Sequence, residues 1–348
     1  MKPDNPIKDF TLNREEARFT GTDLQRPECI LAEPNGDLWA ADARGGVCLI
    51  KPDGTQRIIT QKYADKIKLD SKDSKDTDRF FKGTLPNGLA FASNGDILIS
   101  NFGTDCLERM KRTGETEVLF DTVDGREIGK VNFVLRDSKD RLWITITTMK
   151  KNWLDALRPD LDDGYIIRYD SRGLHIVADG LHFTNEVRFD ASEEFIYVVE
   201  TTGGRVLRYR VDEKGDLHNK EVFGPDRMGE GAYPDGIAFD SYGNLWGTMV
   251  YSDKVFAITP DGEFKILIDE GDHAKVKALD DQFWAKCVTN EVLFETGRGI
   301  APWMASVTFG GADLRTVYIG SLRANNIPYF TSPVAGLPMV HWKTRQGK

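Results

Sequence analysis

The sequence predicts an all-β fold, a six-bladed β-propeller, and three observations support the prediction. A segment that reads as a strand, a tight turn and a second strand occurs six times along the 348 residues. The copies begin about 45 to 72 residues apart, which leaves room for four short strands and a loop in each repeat. Five of the six copies carry an oxygen-bearing side chain at the same place. Sheets stacked around an axis bury both faces of each sheet, and a closed ring protects the sheet edges.

The clearest copy is 233–246, in which apolar residues flank a turn over 241–244. The copies begin at residues 26, 85, 130, 183, 233 and 305, and the last of them is the weakest. We therefore expect residues 24–348 to form one propeller domain and residues 1–23 to form an N-terminal arm. In the interval before the sixth copy, we expect strands within 264–267 and 292–295. The tail over 333–339 is expected to supply a strand or a cap near the closure of the ring.

The third residue of each copy predicts where a functional site lies. These positions hold Glu28, Asn87, Asn132, Asn185 and Asp235, whereas the sixth copy has Val307. Each innermost strand of a propeller starts near the central channel, so equivalent side chains from successive blades are expected to meet on the axis. The alternative is that these residues only form turns, which suits Asn and Asp but suits Glu28 poorly.

A buried cluster of carboxylates and amides requires a counter-charge, because an unpaired buried charge is costly. Glu28 and Asp235 bring two negative charges, and Asn132 and Asn185 bring carbonyl oxygens. Hard oxygen ligands favour calcium, with magnesium or manganese as alternatives, over a tetrahedral zinc site. Fewer protein ligands than the six to eight that calcium takes leave positions for water or substrate, which favours a catalytic metal.

Several motifs carry a resemblance to a known family. They are Arg26-Pro27-Glu28, Asn132 ahead of 141–143, Asn185 ahead of 197–200, Pro234-Asp235-Gly236 and the segment 309–318. Over about residues 24–342 the chain resembles the regucalcin/gluconolactonase family of six-bladed propellers, and more distantly diisopropylfluorophosphatase and paraoxonase. The resemblance implies calcium-dependent hydrolysis of a lactone or small ester, with Mg²⁺, Mn²⁺ or Zn²⁺ as substitutes for Ca²⁺.

The resemblance also implies roles for individual residues. Glu28, Asn185 and Asp235 match the metal ligands of the family, and Asn132 matches a position that binds metal or substrate. Asp235 is expected to hold the metal and to accept a proton from the attacking water. Lys130 stands where relatives carry an arginine that contacts substrate, and Asn87 is expected to contact substrate or complete the metal shell. The chain has Lys130 and Phe133 where relatives have Arg-x-Asn-Asp, so the substrate is not fixed as a sugar lactone.

Three further residues are candidate site residues because of their neighbours in the sequence. His182, three residues before Asn185, is a candidate general base, although a structural role is the alternative. Trp153 and Met149 lie in a loop that departs from strand alternation, and we expect them to line a substrate pocket unless they only pack the loop. The charged segment 62–79 is expected to be a solvated loop or a short helix at a rim.

Composition narrows the class of protein. The formal net charge of −9 argues against a nucleic-acid or membrane-surface partner and leaves a small molecule as the expected partner. No apolar run is long enough for a membrane span, and the polar start of the chain predicts a cytoplasmic protein, or a periplasmic one if a signal peptide has been removed. The oligomeric state is not indicated. Four cysteines without metal-ligand spacing are expected to be buried thiols, with a Cys29–Cys48 pair as the alternative.

Two other functions stay open at this stage. One is different chemistry on the same scaffold, phosphotriesterase-like or strictosidine-synthase-like, since a fold does not fix a reaction. The other is a calcium-binding propeller without catalysis. The absence of a Gly-x-Ser-x-Gly segment argues against a serine nucleophile, and the ring of inward carboxylates and amides favours an enzyme.

Overall fold

In the computed structural model, each of the six repeats forms a four-stranded antiparallel sheet, and the innermost strands of neighbouring sheets contact one another around an axis. The predicted six-bladed propeller is therefore confirmed. The structure describes residues 4–63, 80–81 and 83–343. Most of the charged segment 62–79 lies outside these residues; Lys62–Tyr63 within it forms a short strand.

The blades follow the chain, and their strands are given from the innermost outwards. Blade 1 comprises Ile30–Ala32, Leu38–Asp42, Gly46–Ile50 and Gln56–Thr60. Blade 2 comprises Pro86–Phe91, Ile97–Asn101, Cys106–Met110 and Glu115–Phe120, with Lys62–Tyr63 added in parallel at its edge. Blade 3 comprises Val131–Arg136, Leu142–Ile146, Gly164–Asp170 and Gly173–Leu181.

The second half of the ring has the same plan. Blade 4 comprises Thr184–Phe189, Phe195–Glu200, Arg205–Val211 and Leu217–Phe223. Blade 5 comprises Pro234–Phe239, Leu245–Met249, Lys254–Ile258 and Phe264–Asp269. Blade 6 comprises Met304–Gly310, Thr316–Ser321, Ile327–Thr331 and Arg18–Thr20. A small hairpin, Thr122–Val123 with Arg126–Glu127, precedes blade 3.

Both ends of the chain close the ring in blade 6. Arg18–Thr20, from the segment expected to be an arm, pairs antiparallel with Ile327–Thr331 as the outermost strand of that blade. The first and last parts of the chain are therefore hydrogen-bonded in one sheet, which removes the open edge that a linear array of sheets would leave.

The long interval between blades 5 and 6 differs from the prediction. Phe264–Asp269 is a strand as expected, but the expected strand at 292–295 is part of a helix, Asn290–Glu295, and a longer helix, His273–Trp284, precedes it. Asp272 caps the longer helix by accepting from the backbone N–H groups of Ala274 and Lys275. Further helical segments among the described residues are Arg14–Glu16, Trp153–Ala156 and Val340–Lys343. No helix in the described parts of the chain is long and apolar enough to cross a membrane.

Apolar side chains fill the spaces between the blades, and a repeated contact fixes the turn after the innermost strand. In three blades a carboxylate in this turn accepts a hydrogen bond from the indole N–H of a buried tryptophan six residues later. The pairs are Glu33 with Trp39 at 2.7 Å, Asp137 with Trp143 at 2.9 Å and Asp240 with Trp246 at 2.9 Å. The four cysteines carry free thiols. Cys29, Cys48 and Cys106 are buried as expected, whereas Cys287 is exposed, contrary to the expectation.

We expect Asp240→Ala to lower the free energy of unfolding by about 3 kcal/mol, because buried groups that lose a hydrogen-bond partner each cost roughly 1–3 kcal/mol. Asp240 is 1% exposed and accepts from the backbone N–H groups of Tyr242, Gly243 and Asn244 as well as from the Trp246 indole. Urea denaturation measures the loss. Asp313→Ala, in the exposed turn at the same place in blade 6, is the matched control; an equal loss there would contradict the explanation.

Candidate metal centre

The candidate oxygen ligands sit at a repeated irregularity of the innermost strands. In five blades the pairing with the second strand shifts register near the strand start. The residues at the shift are Asn87, Asn132, Asn185, Asp235 and Ala305. A β-bulge re-aims a side chain, so the irregularity turns these side chains towards the axis. The equivalent residue of the sixth copy is thus Ala305 rather than the predicted Val307, which belongs to the regular pairing and is buried in the core.

The structure brings the other five equivalent residues together. Glu28, just before the first strand of blade 1, lines the same central cavity as the four bulge residues of blades 2 to 5. Each of the five is at most 4% exposed. Side chains that are far apart in the sequence therefore form one buried cluster of oxygen-bearing groups.

Hydrogen bonds orient two of the amides. Asn87 donates from Nδ2 to Glu28 Oε1 at 3.1 Å and to the Asn132 carbonyl at 3.0 Å, and its Oδ1 accepts from Arg26 Nη2 at 2.6 Å. Asn185 Nδ2 donates to Thr201 Oγ1 at 3.1 Å. Asn87 therefore positions Glu28, with its own oxygen already used, whereas Asn185 keeps its oxygen available.

Three buried oxygens of the cluster have no hydrogen-bond partner among the described residues. They are Glu28 Oε2, Asn132 Oδ1 and Asn185 Oδ1. A buried acceptor without a partner costs roughly 1–3 kcal/mol, so a cation that accepts these lone pairs would stabilise the arrangement. The described residues contain no group of three His, Cys, Asp or Glu side chains that could hold a metal ion, and the candidate set here combines the carboxylates of Glu28 and Asp235 with amide oxygens. This donor set, two carboxylates and two amides, fits a hard divalent ion.

The electrostatics of the cavity agree with that donor set. Burial raises the pKa of the Glu28 carboxyl and the pKa of the Asp235 carboxyl, while the positive charge of Arg26 opposes the shift in both. Burial also raises the pKa of Tyr251, and the nearby Asp235 adds to the increase. The Tyr251 hydroxyl therefore stays protonated and offers a hydrogen-bond donor beside Asp235.

Aromatic and aliphatic side chains form the walls above the oxygens. They come from loops and blade edges and comprise Phe80, Phe102, Trp153, Phe183, Val250, Tyr251, Trp303 and Leu322. Trp153 lines this cavity, and its indole N–H donates to the Phe80 carbonyl at 2.7 Å; its contact with a substrate stays a prediction. The sequence reasoning missed Phe183 and Trp303, which stand two residues before Asn185 and Ala305, respectively. The repeat alignment contained that signal for Phe183 but not for Trp303, because it placed the sixth copy two residues too late.

The other end of the channel is crossed by the C-terminal segment. Leu337 N donates to the Phe239 carbonyl of blade 5, and the indole of Trp342 donates to the Ala32 carbonyl of blade 1. His341 also approaches Ala32 O at 2.8 Å and packs edge-on against Phe91 of blade 2. The tail thus forms a cap, and the aromatic mouth is the accessible end of the cavity.

Three predicted site residues do not line the central cavity. Lys130 forms an ion pair with Asp105, Nζ to Oδ1 at 2.7 Å, and lines a neighbouring recess at the mouth. His182 lies with Nδ1 3.1 Å from the Leu161 carbonyl. Met149 is 40% exposed. Lys130 and His182 stand just before the innermost strands of blades 3 and 4, where their partners hold them away from the oxygen cluster, and Met149 follows the second strand of blade 3 and faces solvent.

A buried ion pair occupies the channel next to the cluster. Glu186, directly after Asn185, is fully buried and pairs with Arg188, Oε2 to Nη2 at 2.9 Å. Burial raises the pKa of Glu186 to about 7, and Arg188 opposes the shift. Arg188 also lines the cavity under the C-terminal segment. The pair therefore separates the candidate metal centre from the capped end.

The chain has relatives among characterised proteins. The 6-deoxy-6-sulfogluconolactonase of Pseudomonas putida is 28% identical over 167 residues, which is 48% of this chain and 47% of that protein. The adipocyte plasma membrane-associated protein of Gallus gallus is 27% identical over 176 residues, 47% of this chain and 41% of that protein. The matched part of the chain thus spans less than half the length of these relatives.

Solved structures share the fold. A gluconolactonase from Xanthomonas campestris superposes with a TM-score of 0.64 at 18% identity, covering 92% of this chain and 94% of that one. A regucalcin from Agrobacterium tumefaciens, a calcium-binding protein, gives a TM-score of 0.62 at 15% identity, with 91% and 95% covered. The family model described as the SMP-30/gluconolactonase/LRE-like region matches residues 64–270, more than half of the chain. The chain therefore belongs to the SMP-30/gluconolactonase/LRE-like family.

Proposed function

We propose that the protein is a metal-dependent hydrolase that opens a lactone or cleaves a small ester. The observation that carries the proposal is the set of three unpartnered oxygens beside Asp235 on the floor of an aromatic-walled cavity. The names of the relatives, a sulfogluconolactonase, a gluconolactonase and a calcium-binding regucalcin, support lactone chemistry and a divalent ion.

Glu28, Asn132, Asn185 and Asp235 would hold the ion, and Ca²⁺ is the ion that an all-oxygen set of this size favours. When bound, a divalent cation polarises a carbonyl group as a Lewis acid. Asp235 would accept the proton of the attacking water through a carboxylate oxygen, because its side chain faces the cavity and lies beside the other acceptors. It would return that proton to the alkoxide oxygen released when the acyl C–O bond breaks. The walls exclude bulk water, which strengthens every electrostatic interaction at the floor.

Other residues in the cavity have supporting roles. Asn87 holds Glu28 in place by its hydrogen bond, and Thr201 fixes the amide of Asn185. The protonated Tyr251 hydroxyl is placed to donate to substrate beside Asp235. Trp153, stacked on Phe81 with ring centroids 5.2 Å apart, gives the ring of a small substrate a flat apolar surface. Lys130, His182 and Met149 lie outside the cavity lining, and the proposal assigns no chemistry to them.

We expect hydrolysis of lactones or aryl esters to stop with EDTA and to return with Ca²⁺. Turnover of a small panel, measured before chelation, after it and after addition of each divalent ion, tests the proposal directly. Metal binding without turnover of any lactone or ester would overturn it and leave a calcium-binding propeller or different chemistry. Turnover that is indifferent to chelation would place the active site elsewhere.

Ca²⁺ should also stabilise the fold, because an ion that binds only the folded state adds about 2.7 kcal/mol at 100 times its Kd. Thermal unfolding with increasing Ca²⁺ measures the shift. Asn185→Ala, which removes one of the unpartnered oxygens, should reduce the shift, whereas Asn35→Ala in the blade 1 turn should leave it unchanged. Equal shifts in the two variants would contradict the assigned ligands.

A further inference from the structure

Six residues, each two positions before the residue of its repeat that lies at the axis, form a ring above the oxygen cluster. Its members are Arg26, Leu85, Lys130, Phe183, Tyr233 and Trp303. Three of them, Arg26, Phe183 and Trp303, have φ values of 55°, 54° and 58°, in the left-handed region that costs free energy for large side chains. Within this ring, the same three line the central cavity. The unusual backbone conformation thus accompanies side chains that face the space above the candidate metal centre.

Arg26 is the charged member of these three, and it is held in a fixed position. Its Nη2 donates to Asn87 Oδ1 at 2.6 Å, and its Nη1 donates to the Pro86 carbonyl at 3.1 Å. These two acceptors use two of the five N–H groups of the guanidinium. Nε is buried and has no partner among the described residues. Asn87 also donates to Glu28, so one amide positions both the arginine and a candidate metal ligand.

The positive charge of Arg26 acts on Glu28 and Asp235 through space, but these carboxylates are not its hydrogen-bond partners. In the described part of the chain its guanidinium donates to neutral oxygens, Asn87 Oδ1 and Pro86 O, rather than directly to Glu28 or Asp235. Lys130, the other cation of the ring, is neutralised by Asp105 at 2.7 Å. Arg26 is therefore the cation that the cavity presents to a ligand.

The charge of the cavity then indicates the ligand. The charged side chains that line it, within the described residues, are Arg26, Glu28 and Asp235, which together carry one negative charge when both carboxylates are ionised. With a divalent ion bound, the lining carries one positive charge, which favours an anion over a neutral molecule of the same shape. The planar guanidinium fork matches a carboxylate or a similar oxygen anion.

We propose that Arg26 is a specificity-determining residue that selects lactones carrying an anionic oxygen group on the ring. This proposal rests on the proposed function and names the substrate class of the same site. The lactone carbonyl lies at the oxygen cluster and the anionic substituent lies against Arg26, within the aromatic walls.

The first test compares two substrates that differ in one charge, γ-butyrolactone bearing a γ-carboxylate and the corresponding γ-carboxamide. We expect the wild type to prefer the carboxylate by about 10- to 100-fold in kcat/KM, the range of a hydrogen bond to a charged group. Arg26→Gln should abolish the preference chiefly through KM, and Arg26→Lys should retain part of it. Arg57→Gln, an exposed arginine on the outermost strand of blade 1, is the matched control and should keep the preference.

The second test measures binding without turnover. Pyroglutamate and pyroglutamide are lactam analogues of the two substrates, and calorimetry in the presence of Ca²⁺ gives their affinities. The proposal expects tighter binding of pyroglutamate to the wild type and equal binding of the two to Arg26→Gln. Equal affinities in the wild type, or an equal loss for both lactams in the variant, would overturn it. If neither lactone is hydrolysed, the proposed function fails, and the lactam preference alone decides the role of Arg26.

Discussion

Asp235→Asn is expected to lower kcat/KM for lactone hydrolysis by about 10³-fold, within the range for loss of a general base. Asp235 lies at the bulge of the innermost strand of blade 5, is 4% exposed and faces the cavity beside Glu28. Asparagine keeps the shape and one carbonyl oxygen, but it cannot accept a proton from water at neutral pH. The substitution also removes one of the two carboxylate charges from the candidate ligand set.

Two effects of this substitution must be separated, and calcium titration does so. Loss of charge weakens the binding of Ca²⁺, which a higher concentration of the ion overcomes. Loss of the base lowers kcat even when the site is saturated, so the expected result is a low kcat at every Ca²⁺ concentration. Recovery of wild-type kcat at high Ca²⁺ would mean that Asp235 only binds the ion. Asp261→Asn, an exposed residue of the same blade, is the control for the change in charge.

The fold and the oxygen cluster were predictable because both depend on equivalence between repeats. A strand–turn–strand pattern is local, and its recurrence places equivalent residues around one axis whatever the details of the loops. The same reasoning chose Val307 instead of Ala305, because the sixth copy carries no oxygen-bearing side chain at its strand start and was therefore aligned two residues too late. The orientation of the Lys130 side chain could not be predicted either, because its partner Asp105 follows the second strand of a different blade.

Some features carried a signal that the sequence reasoning did not use. The helix His273–Trp284 begins after an N-capping aspartate and buries Val276, Leu279 and Phe283, a spacing typical of one helix face. The expected strand at 292–295 is a short apolar run, which periodicity alone cannot assign to a helix or a strand. The closing strand Arg18–Thr20 has only three residues, which is too short to show a periodic pattern. Its pairing partner, some 300 residues away, gives no local signal either.

Arg188→Met is expected to lower the free energy of unfolding by about 3–5 kcal/mol, the cost of removing one partner of a buried ion pair. Arg188 is 8% exposed, and its guanidinium carbon lies 4.5 Å from the centre of the Phe133 ring. Its Nη2 is 2.9 Å from Glu186 Oε2, and Nη1 donates to the Val187 carbonyl at 3.0 Å. Without Arg188, the fully buried Glu186 would either keep an uncompensated charge or take up a proton, and both cost free energy.

A double variant distinguishes the loss of the pair from the loss of packing. Glu186→Gln removes the charge but keeps an oxygen that can accept from the backbone N–H of Ile237, which now donates to Glu186 Oε2 at 3.2 Å. Glu186→Gln combined with Arg188→Met should therefore be markedly more stable than Arg188→Met alone. Urea denaturation of the wild type, both single variants and the double variant gives the coupling free energy directly. A double variant no more stable than Arg188→Met would mean that the arginine acts by packing on Phe133 instead.

The Glu186–Arg188 pair lies beside the candidate metal centre, so its loss should also change the affinity for Ca²⁺. Glu186 is close enough to Glu28 and Asp235 for its negative charge to raise the pKa of both, and Arg188 offsets that charge at Glu28. Loss of Arg188 removes the charge that opposes the rise in the pKa of Glu186, so that pKa should move above about 7. At alkaline pH, where Glu186 stays ionised, the negative charge beside the oxygen cluster should therefore increase, and Ca²⁺ should bind more tightly to the folded fraction. The neutral double variant removes both charges together and should leave the Kd for Ca²⁺ close to that of the wild type. Calorimetric titration with Ca²⁺ tests this expectation, and a large loss of affinity in the double variant would show that the pair also holds the ligands in place.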